Sequence, residues 1–252
     1  MQKQMENAIA FLKEQDIKGC ITGSCLLGYF PESHQDIDLF VYDEKSFNKI
    51  LFAMHHNPMF QILDPMEKWK FERFINVEEK TFTKFGLITI KFTYNTCIDV
   101  NVILKKSCNN IFSVLSSFDL DIICKGYDIA TKQYLDLTGD STTTKIANYN
   151  KWNPAFLSDE IWQISRVLRQ FFRVVKYWKR GYNTDAVAER YLYLIGNIEK
   201  YESIFASDNF NEKLETTKHN TAVLKQIINL WLKTHSITEK EEELLNETIK
   251  KL

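Results

Sequence analysis

The pattern of apolar and polar positions changes near residue 150. Before that point, short apolar runs of strand length alternate with amphipathic stretches, whereas beyond it apolar residues recur at helical spacing. Strand-like runs occupy residues 20–22, 36–42, 59–63, 87–94, 97–104, 120–124 and 133–137. Helical stretches between them occupy residues 2–15, 25–30, 44–56, 66–76 and 110–116. This alternation predicts an α+β unit, a mixed sheet with flanking helices.

Long helical patterns dominate the rest of the chain. They cover residues 156–180, 185–200, 220–234 and 239–251. The last of them follows Thr238 and carries Glu241 three residues later, a spacing typical of a capping box. We therefore predict two domains, an α+β domain of residues 1–150 and a helical domain of residues 151–252.

Composition and charge limit the class of protein. The chain has 252 residues, 44% of them hydrophobic, and a net charge of −1, which is typical of a globular protein and not of a globally basic nucleic-acid binder. Its five cysteines form no CxxC pair, so we expect free thiols in a reducing compartment. The first residues are too polar for a signal peptide, and no apolar run approaches the ~20 residues of a membrane span. These features predict a cytoplasmic protein without a membrane partner.

Three aspartates in apolar strands carry the chemistry of the first domain. Asp36 and Asp38 are two positions apart, so in a strand both side chains project from the same face. Asp99 lies in a second apolar run and would supply a third carboxylate if its strand neighbours the first. Buried carboxylates are costly, and Mg²⁺, which prefers oxygen ligands, would explain them. The alternative is that Asp36 and Asp38 begin a strand after a polar turn and that Asp99 is an exposed edge residue.

A small-residue turn precedes these acids. Gly23 allows the backbone to approach a triphosphate closely, and Ser24 with the amides that follow can donate hydrogen bonds to phosphate oxygens. The turn and the acids suggest a site that binds a nucleotide together with a metal.

The arrangement resembles the signature of the DNA polymerase β-like nucleotidyltransferase superfamily. The matching positions are Gly23-Ser24, an eleven-residue gap, Asp36-Ile37-Asp38 and Ile98-Asp99-Val100. The resemblance implies a nucleotidyltransferase-type sheet in residues 1–150, followed by the helical domain. It also implies transfer of a nucleoside monophosphate from an NTP, such as ATP, with release of pyrophosphate. One departure is the stretch 31–35, which is not the basic, Ser-rich segment of commoner small members.

The resemblance implies a two-metal mechanism. Asp36 and Asp38 would hold two Mg²⁺ ions, with Mn²⁺ as an alternative. One ion, with Ser24, would orient the terminal phosphates. The other, shared with Asp99, would activate an acceptor hydroxyl, and Asp99 would act as its base. The acceptor is open between an RNA 3′ end, a protein side chain and a small molecule. The competing hypothesis is a non-catalytic protein of this type that binds nucleotide, RNA or a partner protein.

A basic stripe follows in the second domain. Arg166, Arg169 and Arg173 are spaced as on one helix face, and Lys176 and Arg180 continue the spacing. The stripe would bind the triphosphate or a nucleic-acid backbone, which slightly favours a nucleic-acid acceptor. The alternative is a solvated face or ion pairs with acids of the first domain.

Two further features are secondary candidates. Asp119 and Asp121 repeat the two-residue acidic spacing, for which we favour a surface or turn position over membership of the metal site. His34, two residues before Asp36, is a candidate for substrate contact.

Overall fold

The structure is a computed structural model and describes residues 2–28, 36–75, 86–153, 173, 176–178 and 180–187. The chain divides into two compact units. The first contains Met1–Thr142 with Asn150–Asn153, and the second contains Thr143–Tyr149 with Pro154–Leu252. The predicted division between residues 150 and 151 stays a prediction, because most of the second unit lies outside the described residues.

A seven-stranded mixed sheet forms the centre of the first unit. Its strands are β1 (Gly19–Thr22), β2 (Asp36–Val41), β3 (Phe60–Gln61), β4 (Leu87–Tyr94), β5 (Ile98–Lys105), β6 (Lys125–Asp128) and β7 (Gln133–Asp136). The strand order is β3-β4-β5-β2-β1-β6-β7. The β2–β5 pair is parallel, and the other neighbouring strands of this sheet are antiparallel.

Helices cover the sheet and bury its apolar positions. They are α1 (Gln2–Lys13), α2 (Glu44–His55), α3 (Pro65–Ile75) and α4 (Ile111–Leu115), and a short helix, α5 (Ser141–Thr144), follows β7. In α2, the buried side chains recur at helical spacing, as Phe47, Ile50, Leu51 and Met54. They belong to one core cluster with Ile37 and other buried strand residues. The predicted mixed α+β architecture with flanking helices is confirmed.

Local interactions define the start of α2 and the turn of the β4–β5 hairpin. Asp43 caps α2, because its carboxylate accepts the Ser46 N–H at 2.7 Å. Asn95 and Thr96 turn the chain with φ of 46° and 60°, so that β4 and β5 pair as an antiparallel hairpin.

Two local predictions are wrong. Residues 120–124 were expected to form a strand, but Asp121–Ile123 form a turn of 3₁₀ helix and the strand begins at Lys125. Leu120 and the residues Ile122–Cys124 are all buried, so this turn has the apolar character of a buried strand. Residues 25–30 were expected to be helical, but the described part contains only the 3₁₀ turn Ser24–Leu26.

The predicted helical domain falls mostly on residues that are not described. Within the predicted helix 156–180, Arg173 and residues 176–178 are helical. The predicted helices 220–234 and 239–251 lie outside the described residues, as does 185–200 beyond residue 187. In the described part of the chain, no helix has the length and apolar character that crossing a membrane requires.

Candidate active site

The parallel pairing of β2 with β5 brings the three predicted aspartates together. Asp36 lies opposite Asp99, and Asp38 lies opposite Asn101. Paired residues of neighbouring strands project from the same face, with strands about 4.8 Å apart. Ile37 and Val100 project from the opposite face and are fully buried in the core. The strand alternation therefore anchors both strands while it leaves the carboxylates half-buried on one face.

Asn101 joins the two carboxylates of β2. Its side-chain N–H₂ group donates to Asp38 Oδ1 at 3.0 Å and to Asp36 Oδ2 at 3.3 Å. Two carboxylate oxygens thus converge on one nitrogen, which offsets part of the repulsion between like charges. Sequence reasoning missed Asn101, although its position two residues after Asp99 places it on the same face.

Asp99 is held from the other side by β4. Thr93 donates its hydroxyl to Asp99 Oδ1 at 3.1 Å, and the Lys91 ammonium lies 3.4 Å from Asp99 Oδ2. Thr93 lies opposite Asp99, and Lys91 lies opposite Asn101, so both belong to the same face of the sheet. Lys91 is the second residue that sequence reasoning missed, since only the register of β4 against β5 shows the pairing.

Gly23 places the turn against Asp38. Its φ is +91°, a backbone conformation that residues other than glycine rarely adopt. A Cβ atom at this position would lie 2.9 Å from Asp38 Oδ2. Ser24 is buried and begins the 3₁₀ turn directly after Gly23. Gly23 therefore lets the backbone lie close to the Asp38 carboxylate, and the approach of this turn to a phosphate stays a prediction.

Cys25 follows Ser24 in the same turn. Its thiol donates to the Thr22 carbonyl at 3.2 Å. Burial raises the pKa of this thiol, and the nearby charges of Asp38 and Asp36 raise the pKa further. The Cys25 thiol therefore keeps its proton and its hydrogen bond to the backbone of this turn at neutral pH.

The oxygens of Asp36 and Asp38 fit a divalent cation. They are hard ligands of the kind Mg²⁺ prefers, and the position where they converge is taken by a polar donor, the Asn101 amide. Across the residues the structure describes, however, no group of three or more His, Cys, Asp or Glu side chains is arranged to hold a metal ion. The carboxylate of Asp99 contacts Lys91 instead, so its share in a metal site stays a prediction.

A cavity of about 450 Å³ opens beside Asp99. The side chains that line it come from the loop before α3 and from the β4–β5 hairpin: Leu63, Asp64, Lys91, Thr93, Thr96, Cys97 and Asp99. The cavity has room for a small polar group, and Asp99 and Lys91 present opposite charges to it.

The remaining sequence candidates lie outside the described residues, in the second unit or in turns of the first unit. Arg166, Arg169 and His34 lie outside the described residues, and Arg173 belongs to the second unit, where its side chain is exposed. Asp121 accepts a hydrogen bond from the Ser141 hydroxyl. Asp119 lies in the bend before Leu120, in agreement with the predicted surface or turn position, and it is only 3% exposed.

Comparison with known proteins supports the fold. No family model matches the chain, and no curated protein does so either. A solved complex of a CCA-adding enzyme with ATP is 14% identical, with a TM-score of 0.50, and the match covers 97% of this chain and 58% of that one. An apo form of a CCA-adding enzyme is 13% identical, with a TM-score of 0.46, over 96% of this chain and 54% of that one.

A CTP complex of a CCA-adding enzyme is also similar, at 13% identity and a TM-score of 0.42. The chain spans little more than half the length of these neighbours. The likeness to the ATP complex shows a shared fold, in agreement with the predicted mixed sheet and its flanking helices.

Proposed function

We propose that the chain is a metal-dependent nucleotidyltransferase that moves a nucleoside monophosphate from an NTP onto an acceptor and releases pyrophosphate. One observation carries the proposal: the β2–β5 register puts Asp36, Asp38 and Asp99 on one face, with the Gly23 turn against Asp38. The fold is shared with an enzyme solved with ATP, which supports a nucleotide as the first substrate.

The residues divide the reaction between them. Asp36 and Asp38 would hold Mg²⁺ or Mn²⁺, which when bound supplies positive charge for the triphosphate. Ser24 and the amides of its turn would donate hydrogen bonds to phosphate oxygens. Asp99 would accept the proton of the acceptor hydroxyl, whose oxygen forms the new bond to the α-phosphorus as pyrophosphate leaves. The protein thus positions two substrates and neutralises their charge.

The cavity beside Asp99 is our candidate for the acceptor site. An acceptor group in this cavity would have its hydroxyl next to the carboxylate that removes the proton. We favour a nucleic-acid 3′ end as acceptor, because the spacing of Arg166, Arg169 and Arg173 in the sequence predicts a basic stripe suited to a phosphate backbone. The same stripe would alternatively contact the triphosphate. A protein side chain and a small hydroxyl compound are the other acceptors to be tested.

A specific contact favours a second candidate function, a nucleotide-binding protein without catalysis. Asp99 is paired with Lys91 at 3.4 Å, and in the described part of the chain the acids do not form a three-residue metal site. If Asp99 cannot accept a proton, nucleotide binding at Gly23 and Asp38 would remain without transfer.

A transfer assay separates the two functions. Each α-³²P-labelled NTP would be incubated with Mg²⁺ or Mn²⁺ and with RNA, protein or small-molecule acceptors. We expect label on one acceptor with the native chain and at least about 100-fold less with Asp36→Asn/Asp38→Asn. Asp16→Asn is the control, because it removes an exposed acid that pairs with Lys49. If no acceptor gained label from any NTP, catalysis would be excluded. Metal-dependent NTP binding would then favour the second function.

A further inference from the structure

Lys91 supplies a positive charge where the two-metal mechanism would place a cation. In that mechanism, carboxylates bridge two cations about 3.5 to 4 Å apart. Here, the oxygens of Asp36 and Asp38 converge on one nitrogen of Asn101. The third carboxylate, Asp99, points to an ammonium group of the same chain, with 3.4 Å between Lys91 Nζ and Asp99 Oδ2.

The backbone of Lys91 is fixed from two sides. Its strand β4 pairs with β5, where Lys91 lies opposite Asn101. Its N–H donates to Glu67 Oε2 of α3 at 3.0 Å. Glu67 is in turn paired with Lys70 at 2.6 Å. The ammonium therefore extends from an anchored strand position and is directed along the face that carries the acids.

The environment of the ammonium suits a group that meets substrate. The Lys91 side chain is 40% exposed and the Asp99 side chain 21% exposed, so both reach the cavity that they line. A divalent cation coordinated by Asp99 would need an oxygen at 2.0–2.1 Å and would lie within a few ångströms of this ammonium. Like charges at such a distance repel strongly where water is partly excluded.

We infer that the Lys91 ammonium takes the place of a second divalent cation beside Asp99, so that the chain binds one metal ion, at Asp36 and Asp38. The inference rests on the proposed function and deepens it. Asp36 and Asp38 serve the nucleotide phosphates, whereas Lys91 contacts the acceptor oxygen in the cavity and holds Asp99 in position. The protein then needs one divalent ion for each nucleotide.

Counting bound Mn²⁺ tests the inference. Native protein would be titrated with Mn²⁺ in the presence of a non-hydrolysable α,β-methylene NTP analogue, and bound ions would be counted by electron paramagnetic resonance. We expect one Mn²⁺ per native chain and two per Lys91→Met chain, because the substitution removes the positive charge that repels a second ion beside Asp99. Two ions on the native chain, no ion at all, or a single ion on a folded Lys91→Met chain would each overturn the inference.

Two further variants control the count. Lys91→Arg keeps the positive charge and should bind one Mn²⁺. If Lys91→Met fails to fold, Lys91→Arg serves as the test of the charge. Two ions on Lys91→Arg would contradict the role of the charge. Lys49→Met removes a lysine that pairs with Asp16 at 2.7 Å on an exposed surface, and it should also bind one.

The metal count and the transfer assay test the role of Lys91 and the transferase activity separately. A single Mn²⁺ on a chain that transfers no label would refute the transferase and leave the role of Lys91 standing. Two Mn²⁺ ions on a chain that does transfer label would refute the role of Lys91 alone. With transfer established, Lys91→Met should lower the rate about 10- to 100-fold, and Lys49→Met should not change it.

Discussion

Asp36 and Asp99 lie directly opposite each other on the neighbouring parallel strands β2 and β5. Both side chains project from the same face of the sheet, so two like charges are held close together by the pairing of the backbone. Like charges at opposed positions of neighbouring strands destabilise a sheet. The opposition of these two charges therefore lowers the stability of the folded chain at the position where we propose that the chemistry takes place.

The first prediction follows from this opposition. Asp36→Asn removes one of the two charges at nearly constant shape, so in EDTA we expect the Tm to rise by about 1–4 °C. The same variant should lose the increase in Tm that Mn²⁺ gives the native protein, because a cation ligand is gone. Differential scanning calorimetry with EDTA and with Mn²⁺ measures both effects. An unchanged Tm in EDTA together with full stabilisation by Mn²⁺ would contradict the placement of Asp36.

The second prediction concerns Gly23. Gly23→Ala forces a Cβ atom to within 2.9 Å of Asp38 Oδ2 at a φ of +91°. We expect a stability loss of about 1–2 kcal/mol from the backbone conformation. Because the carboxylate of Asp38 must shift, metal-dependent nucleotide binding should fall about tenfold or more, as measured by calorimetric titration.

Gly28→Ala is a matched control for Gly23→Ala. Gly28 has a φ of +110°, but a Cβ atom there would meet nothing within 4 Å. Gly28→Ala should therefore lose a similar amount of stability but bind nucleotide as tightly as the native chain does. If both variants bound nucleotide equally well, the contact between Gly23 and Asp38 would have no role in the site.

The third prediction concerns the shared donor. Asn101→Ala removes the amide that bonds Asp36 and Asp38, so without metal we expect the free energy of unfolding to fall by about 1–2 kcal/mol. Mn²⁺ should raise the Tm of this variant more than that of the native chain, since no amide competes for the oxygens. Thr93→Val removes a donor to Asp99, and Mn²⁺ should raise the Tm of this variant no more than that of the native chain.

The fourth prediction is a pH dependence at the start of α2. Burial raises the pKa of Asp43, but hydrogen bonds from Ser46 and the charge of Lys18 outweigh it, so the pKa lies below its usual value of 3.8. The stabilisation by Asp43 is therefore present above the pKa of the unfolded chain and is lost as the pH falls through the lower, folded value. Asp43→Ala should cost about 1 kcal/mol at pH 7 and progressively less below about pH 4.

Urea unfolding between pH 3 and pH 7 measures this dependence. Asp43→Asn keeps a cap oxygen without the charge, so its stability relative to the native chain should vary with pH while its helix still begins at Glu44. A cost for Asp43→Ala that is the same at every pH would show that the ionised carboxylate does not contribute.

The sequence predicted the acids of the site better than their partners. Asp36 and Asp38 share a face because strand side chains alternate, which local sequence alone determines. The sequence left open whether the strand of Asp99 neighbours the strand of Asp36, because both this pairing and its register depend on the tertiary fold. The contact of Lys91 with Asp99 needs a second register, between β4 and β5, which no local pattern encodes.

Burial explains the wrong strand prediction at residues 120–124. Leu120, Ile122 and Cys124 are buried in a 3₁₀ turn, and a buried turn and a buried strand have the same apolar composition. Only the surrounding packing decides between them. The roles of Asp36, Asp38, Asp99, Gly23 and Ser24 in binding and catalysis remain predictions for the experiments above.

The pairing of β2 with β5 also bears on folding kinetics. Asn101 and Asp36 are 65 positions apart along the chain, so closing this pair requires a long loop to form before the oxygens can meet. Asp36 and Asp38 both lie on β2, and the pairing with β5 holds that strand extended, so a cation should bind more weakly before β5 has docked. Metal affinity would thus discriminate between folded molecules and incompletely folded ones, and divalent ions would slow unfolding more than they accelerate folding.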